Sequence, residues 1–483
     1  MKKLAILITA VIFASCSSDL ESLNENIKDP LAVPGESLFT GAQKNLVDQV
    51  VDLNVNNNNT KLWAQYLQET TYTDESNYDQ VTRTIPETHW SVMYKNVLKD
   101  LDEAKIVIEA TTYSTPELEA LKPNKLVIIE ILNVYTYANL VETFGDVPYT
   151  EALDIDNLLP MYDDAETIYK DLVSRLTAAI NALDESNGSF GSADRIYGGD
   201  VALWKKFAAS LKLRMGILMS DVDAAFAKTT VESAVTTGVF TSNADNASYT
   251  FLGSDPNTNP IHDNLILSGR RDFVAATTII DVMNSLDDPR RLLYFTPTDD
   301  GTYKGGNIGE TSSYSTYSHV SAQVEEATFP GILFDYAEVR FLLAEARARL
   351  FEVGGTAKEH YDAGITASIL DWGGTAAEAT TYLVQPTVDY DLAIVASTAT
   401  TPWKEVIGTQ KWIALYNRGL EAWTSIRLLD YPLMATPADA VSGFPARYTY
   451  PIIEQSLNGA NYGSAASAIG GDEAETKLFW DLN

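Results

Sequence analysis

Cys16 is the only cysteine in this 483-residue chain, and it stands directly behind an apolar stretch. Met1-Lys2-Lys3 is a short cationic start, Leu4 to Phe13 is apolar except for Thr9, and Ala14-Ser15 are small. This is the pattern of a secretory signal peptide over residues 1–15 that ends at a cysteine. The apolar run is too short to cross a bilayer, which takes about 20 residues. Cleavage before Cys16 and acylation of its sulfur and new amino end, with palmitate among the expected chains, tie the exported protein to a membrane through lipid alone. Phe13 departs from the aliphatic residue usual three positions before such a cysteine. The competing reading is an ordinary signal peptide whose cysteine is incidental. For the fold the consequence is strict. A chain with no second thiol forms no internal disulfide and no thiolate metal site, so a hydrophobic core must hold it together unaided.

Composition allows that core. Hydrophobic residues make up 45% of the chain and charged residues 21%, a globular balance. After the leader, no segment reaches 18 uninterrupted apolar residues. The formal charge of -32 repels phosphate backbones and anionic membrane surfaces, so nucleic acid is excluded as a partner and membrane contact falls to the lipid anchor.

The expected organisation has three parts: the leader, a lipidated flexible tether over 16–35, and one domain over 36–483. Ser17-Ser18-Asp19-Leu20-Glu21 is polar and acidic, and Pro30 and Pro34-Gly35 close the tether. Beyond it, apolar residues recur at helical spacing. Lys125 to Val141 forms one long helix, stopped by Gly145 and Pro148. Ile168, Leu172, Leu176, Ala179 and Leu183 form a stripe behind Asp163-Asp164. Leu203, Phe207, Leu211 and Leu218 form another, with Asp200 placed to cap it. Val339, Leu342, Leu343, Ala346 and Leu350 run up to Gly354-Gly355, and Tyr361, Ile365 and Ile369 to Gly373-Gly374. Neighbouring helices with short polar turns predict a mostly all-α fold of tetratricopeptide-like hairpins, although no clean 34-residue repeat is present. Residues 241–335 are loop-rich, with one helix near Ala275 to Leu286 and an extended loop from Pro297 to Ser321. The stretch from Pro432 to Gly471 also reads as irregular, as does Asn54 to Asn59.

No metalloprotease, phosphate-loop, nucleophile-elbow or dinucleotide motif is present. His89, His262, His319 and His360 are scattered, which reads as structural or surface placement. Asp154-Ile155-Asp156-Asn157 hints at calcium, but it lacks the glycine and distal glutamate of a calcium loop. No cofactor is expected beyond the lipid. Acidic pairs such as Asp287-Asp288 and Glu325-Glu326 read as helix-end or solvated residues. The better lead is aromatic: 25 tyrosines and 8 tryptophans. Flat rings stack on sugar faces or peptide side chains while a tyrosine hydroxyl keeps a hydrogen bond. Trp63 and Tyr66 sit on a helical stretch and read as core, whereas Tyr72 and Tyr78 sit in a polar loop. Tyr303, Tyr314 and Tyr317, with His319, lie in a Gly/Ser/Thr context, which makes them ligand candidates; packing or partner contact is the alternative. Arg270 and Asp272 in Arg270-Arg271-Asp272 are placed either to bond a polar ligand or to cap the adjoining helix.

Several segments resemble signatures of the SusD/RagB family of nutrient-binding outer-membrane lipoproteins of Bacteroidota, in particular its second SusD-like branch. They are Phe144-Gly145-Asp146-Val147-Pro148-Tyr149, Asp288-Pro289-Arg290-Arg291-Leu292, and Tyr336 to Ala346. They continue with Lys411-Trp412-Ile413-Ala414-Leu415-Tyr416, Gly419-Leu420-Glu421-Ala422-Trp423, Phe444-Pro445-Ala446-Arg447-Tyr448-Thr449-Tyr450-Pro451, and Lys477-Leu478-Phe479-Trp480-Asp481. The acidic run after Cys16 is similar to the surface-export tag of those lipoproteins. The resemblance implies a SusD-like helical fold with a loop-rich face. It implies a non-enzymatic protein on the cell exterior that binds an oligosaccharide or oligopeptide as a lid over a SusC-type TonB-dependent transporter barrel. A structural subunit of an outer-membrane complex, or a surface glycosidase, are the alternatives.

Overall fold

A computed structural model of the chain describes residues 33–482. The expected leader, Cys16 and the tether up to residue 32 lie outside the described residues.

Helical hairpins dominate. The long Lys122–Phe144 helix buries residues on every side, because Ala165–Ala182, Lys99–Ala110 and Val201–Leu218 all pack around it. Its C-terminus is set by Gly145, whose φ of +89° suits a residue without Cβ. Val201–Leu218 pairs with Ala224–Thr237, and Tyr336–Ala348 pairs with Ala357–Asp371. The N-caps follow the acidic residues that the sequence marks. The Asp164 carboxylate accepts from Thr167 N at 2.8 Å and the Asp200 carboxylate from Leu203 N at 3.0 Å. Thr356 and Glu359 form a capping box.

Three hydrophobic clusters form the interior. The largest gathers the long helix and its neighbours. A second, built on Tyr66, Ile279, Tyr294 and Trp412, underlies the loop-rich face, and a third lies between Phe341, Ile365 and Ile407. Trp63 and Tyr66 are fully buried, as expected.

The family-like segments meet one another. Arg447, fully buried, donates through Nη2 to the Phe144 carbonyl at 2.8 Å and pairs with Asp472. It thereby satisfies a carbonyl that the end of the long helix leaves open. The Tyr450 hydroxyl donates to the Asp146 carbonyl at 2.8 Å, and Asp146 accepts from Ala165 N at the start of the next helix. Leu478 and Trp480, near the C-terminus, are buried in the same cluster, and the Arg427 guanidinium lies 4.7 Å from the Trp480 ring centroid.

Two expectations change. The stretch 432–471 is not wholly irregular: it holds the helices Ile452–Leu457 and Gly459–Ala468. The second, Gly-Ala-Asn-Tyr-Gly-Ser-Ala-Ala-Ser-Ala, buries only Ala465, so it carries no apolar stripe for a periodicity argument to find. The 241–335 segment is also more ordered than a loop. It contributes Ala247–Tyr249, Phe273–Ala275, Phe295–Thr296, His319–Val320 and Gly331–Phe334 to antiparallel two-stranded pairs. Strands of two to four residues are too short to show alternation in sequence. Among the described residues no helix is long and apolar enough to cross a membrane.

Candidate functional site

The loop-rich face is a set of short strands laced together by main-chain bonds. Phe273–Ala275 pairs with Leu67–Glu69 on one side, and Ala275 N donates to the Ser318 carbonyl at 2.7 Å on the other. Gly306 N donates back to the Ala275 carbonyl. Gly305 sits so close to the start of the Thr277–Ser285 helix that a Cβ there would lie 2.3 Å from Thr277 N, which explains the glycine. Thr70 binds the Asp272 carbonyl through its N–H and the Arg271 carbonyl through its hydroxyl, and its own carbonyl accepts from Ser312 N. A turn at 298–302 is fixed by Asp300, which accepts from Thr298 Oγ1 and Thr302 N. The Lys304 ammonium beside Asp300, with the Thr302 and Thr298 hydroxyls, holds that carboxyl well below its usual range.

These loops enclose a cleft of about 520 Å³. Gly269, Arg270 and Arg271 line it together with Pro297-Thr298-Asp299. Tyr314, Tyr317, His319 and Glu325 close it. The Tyr314 and His319 rings stack at 4.5 Å and 9°, and the Arg271 guanidinium lies 5.1 Å from the Tyr314 ring centroid, a cation–ring–ring column. His262 Nδ1 donates to the Glu325 carbonyl at 2.7 Å. Burial pushes the Glu325 carboxyl up, against the opposing charges of His319 and His262. Ring faces, a cation and carboxylates converge here, an arrangement suited to recognition.

The structure divides the sequence-derived candidates. Tyr314, Tyr317 and Arg270 line the cleft; Asp272 sits at its edge, ion-paired to Arg270 at 2.7 Å. Neither Arg270 nor Asp272 caps a helix, since the strand Phe273–Ala275 intervenes before Thr277. Tyr303 is not part of the lining. It is half-buried against the second hydrophobic cluster, its ring 5.0 Å from the Arg291 guanidinium and its carbonyl bonded to Asn284. Tyr78 is 3% exposed and packs edge-on against Phe444, so it presents no surface to a ligand. Tyr72 is 72% exposed at φ +57°, two residues beyond the Thr70 that braces Arg271. Left-handed backbone at a bulky residue is strained, and such positions cluster at functional loops. The cleft also recruits Asp299, Arg271 and Glu325. Asp299 carries no sequence signal beyond the turn it sits in, and Glu325 reads as solvated from sequence. Asp154 turns back on Asp156 N as a local Asx turn. Among the described residues no group of three or more His, Cys, Asp or Glu is placed to hold a metal ion.

A second cleft of about 360 Å³ lies between Trp90, Tyr94, Leu158 and Leu457. Three of its polar groups are already engaged: the Tyr94 hydroxyl donates to the Pro148 carbonyl, Asn458 to the Pro160 carbonyl, and Glu454 accepts from Tyr162. It has less to offer a hydroxyl-rich ligand.

The second SusD-like family, described as starch-binding associating with outer membrane, matches residues 27–451. The chain belongs to the SusD-like family. Similar solved structures include a chitin-binding SusD homologue from Flavobacterium johnsoniae, 25% identical at TM-score 0.77, covering 92% of this chain and 99% of that one. A SusD homologue from Bacteroides uniformis is 26% identical at TM-score 0.79, covering 92% and 99%. A further chitin-binding protein is 25% identical at TM-score 0.79, covering 93% and 100%. Comparison with curated proteins gives no match. The mostly helical SusD-like fold expected from sequence is the fold observed. The segments carrying the family resemblance serve packing: Asp288-Pro289-Arg290 and Phe444 to Pro451 are core braces, and of the cleft residues none falls within them.

Proposed function

We propose that this SusD-like chain is a lipid-anchored glycan-binding protein on the outer face of the outer membrane, and that it captures an oligosaccharide in the cleft around Tyr314 and Tyr317. The observation that carries the proposal is the column of Arg271, Tyr314 and His319 beside a cavity large enough for a few sugar rings. The family description as starch-binding and the chitin-binding character of similar proteins support a glycan over a peptide. The chain supplies rings for stacking and carboxylates for hydroxyl hydrogen bonds. Its partner on this proposal is a SusC-type TonB-dependent barrel, over which the protein closes as a lid. Closure excludes water around the bound sugar and passes it inward.

Tyr314→Ala with Tyr317→Ala is expected to weaken binding of starch- or chitin-derived oligosaccharides by about 10- to 100-fold, at roughly 0.5–1.5 kcal/mol per stacked ring and 1.4 kcal/mol per tenfold. The melting temperature should hold, since neither ring is buried. Calorimetric titration checks this, and an unchanged affinity removes the cleft from consideration. Cys16→Ala is expected to abolish fatty-acid labelling and release the protein from the membrane fraction. Label retained by the variant defeats the lipid anchor.

A further inference from the structure

The chain has 66 acidic residues against 34 lysines and arginines, so a positive side chain seldom lacks a negative neighbour. The arginines bear this out. Arg83, Arg175, Arg214, Arg270, Arg290, Arg291, Arg347, Arg349, Arg418 and Arg447 are all ion-paired with carboxylates. Arg195, Arg340 and Arg427 donate to main-chain carbonyls. Among the described residues Arg271 is the one arginine whose guanidinium meets no acceptor. It is exposed, it lines the cleft, and its only contact of note is the Tyr314 ring.

That contact seats the guanidinium beside an aromatic ring and leaves its N–H donors without a protein acceptor. A planar fork held on an aromatic face is the arrangement that takes a carboxylate or sulfate in a bidentate grip. The main chain beneath is equally well set, because Thr70 bonds both Arg271 and Asp272. Arg270 does not compete for the same anion, being occupied by Asp272. The other ionisable groups lining the cleft are Asp299, Glu325 and His319, with His262 bonded to the Glu325 carbonyl behind it. In the proposed complex Asp299 and Glu325 serve as acceptors for sugar hydroxyls.

We infer that the cleft is built for an acidic glycan, one whose sugar ring stacks at Tyr314 and Tyr317 while its anionic substituent is gripped by Arg271. This deepens the proposed function and rests on the cleft being a glycan site. The shared chemistry is a planar or tetrahedral oxyanion on a sugar: a uronate carboxylate or a sulfate ester.

The test uses the full mature chain and three probes of equal length: an oligogalacturonate, a sulfated oligosaccharide of neutral sugars, and a chito-oligosaccharide. Wild-type protein is expected to bind at least one acidic probe at least about tenfold more tightly than the neutral one, as a charge-assisted bond implies. Which acidic probe wins identifies the oxyanion. Arg271→Gln is expected to cost the preferred acidic probe at least about tenfold more affinity than it costs the neutral one, with the melting temperature unchanged. Binding of the neutral probe alone, or an equal loss for all probes in Arg271→Gln, overturns the acidic specificity and leaves the glycan cleft standing. Binding of none of the three, together with an unaltered melting temperature in the variant, overturns both.

Discussion

Replacing Arg290 with methionine is expected to destabilise the protein by about 3–5 kcal/mol, the cost of leaving one member of a buried ion pair without the other. Both Arg290 and Asp288 are sealed from solvent, and their side chains meet at 2.6 Å. The arginine does more than neutralise the acid. Its Nη2 also donates to Gln410 at 2.7 Å and its Nη1 to Ser368 at 3.2 Å. It thus joins the turn after Thr277–Ser285 to two helices, Ala357–Asp371 and Pro402–Ala414. Methionine fills much of the same volume but strands the Asp288 charge and two polar partners. Adding Asp288→Asn to Arg290→Met should recover a large part of the loss, because the orphaned charge disappears while an acceptor for Arg290 N remains at position 288. Denaturant midpoints of the two variants decide it. A single variant within about 1 kcal/mol of wild type, or a double variant no better than the single, contradicts this account.

Stability is expected to fall as pH rises from about 5 towards about 9, the reverse of ordinary acid sensitivity. Several carboxyls are protonated more readily in the fold than in the unfolded chain. Burial raises Asp48 to about 6, against the pull of Lys44, and raises Glu142 to about 7, against its bond from Tyr169. Glu69, 3% exposed, is pushed up further, first by burial and then by the neighbouring Glu75. Between their unfolded and folded pKa values such groups hold more protons when native. The native state is therefore favoured below that window and loses ground through it as pH rises. Two groups act the other way at acid pH. Burial lowers His89 to about 4, and Glu338 is brought to about 2 by Arg214 and Arg418, which outweigh its own burial. Their contribution is complete near neutrality and is lost as pH drops, so the optimum sits between the two regimes. Calorimetric melting at pH values of about 6 and about 9 tests it. Glu69→Gln should flatten the alkaline limb, and a variant that melts with the same pH dependence as wild type removes Glu69 as its cause.

Much of the helical frame was legible in the chain because long stripes report long burial. The stripe from Ile168 to Leu183 and the cap at Asp164 mark the Ala165–Ala182 helix almost to the residue. The cleft was only half legible. Tyr314 and Tyr317 could be picked out as rings in a context too polar to bury them, and they line it. Tyr303 sits in the same kind of sequence, yet it turns away to cover Arg291. Tyr78 is buried by Phe444, a residue 366 positions away, which no local pattern encodes. Asp299 and Glu325 meet at the cleft through strand pairs of two residues each, below the length at which sequence alternation carries information.

The burial of Leu478 and Trp480 in the largest cluster has a bearing on biogenesis. The wall of that cluster is finished by side chains far downstream of the helices they cover, and Arg447 cannot pair until Asp472 is present. Interior closure thus waits until residues 472–480 have been synthesised. Until those residues arrive the largest cluster stays open along that wall, so the chain remains threadable for longer than its early helices alone would suggest.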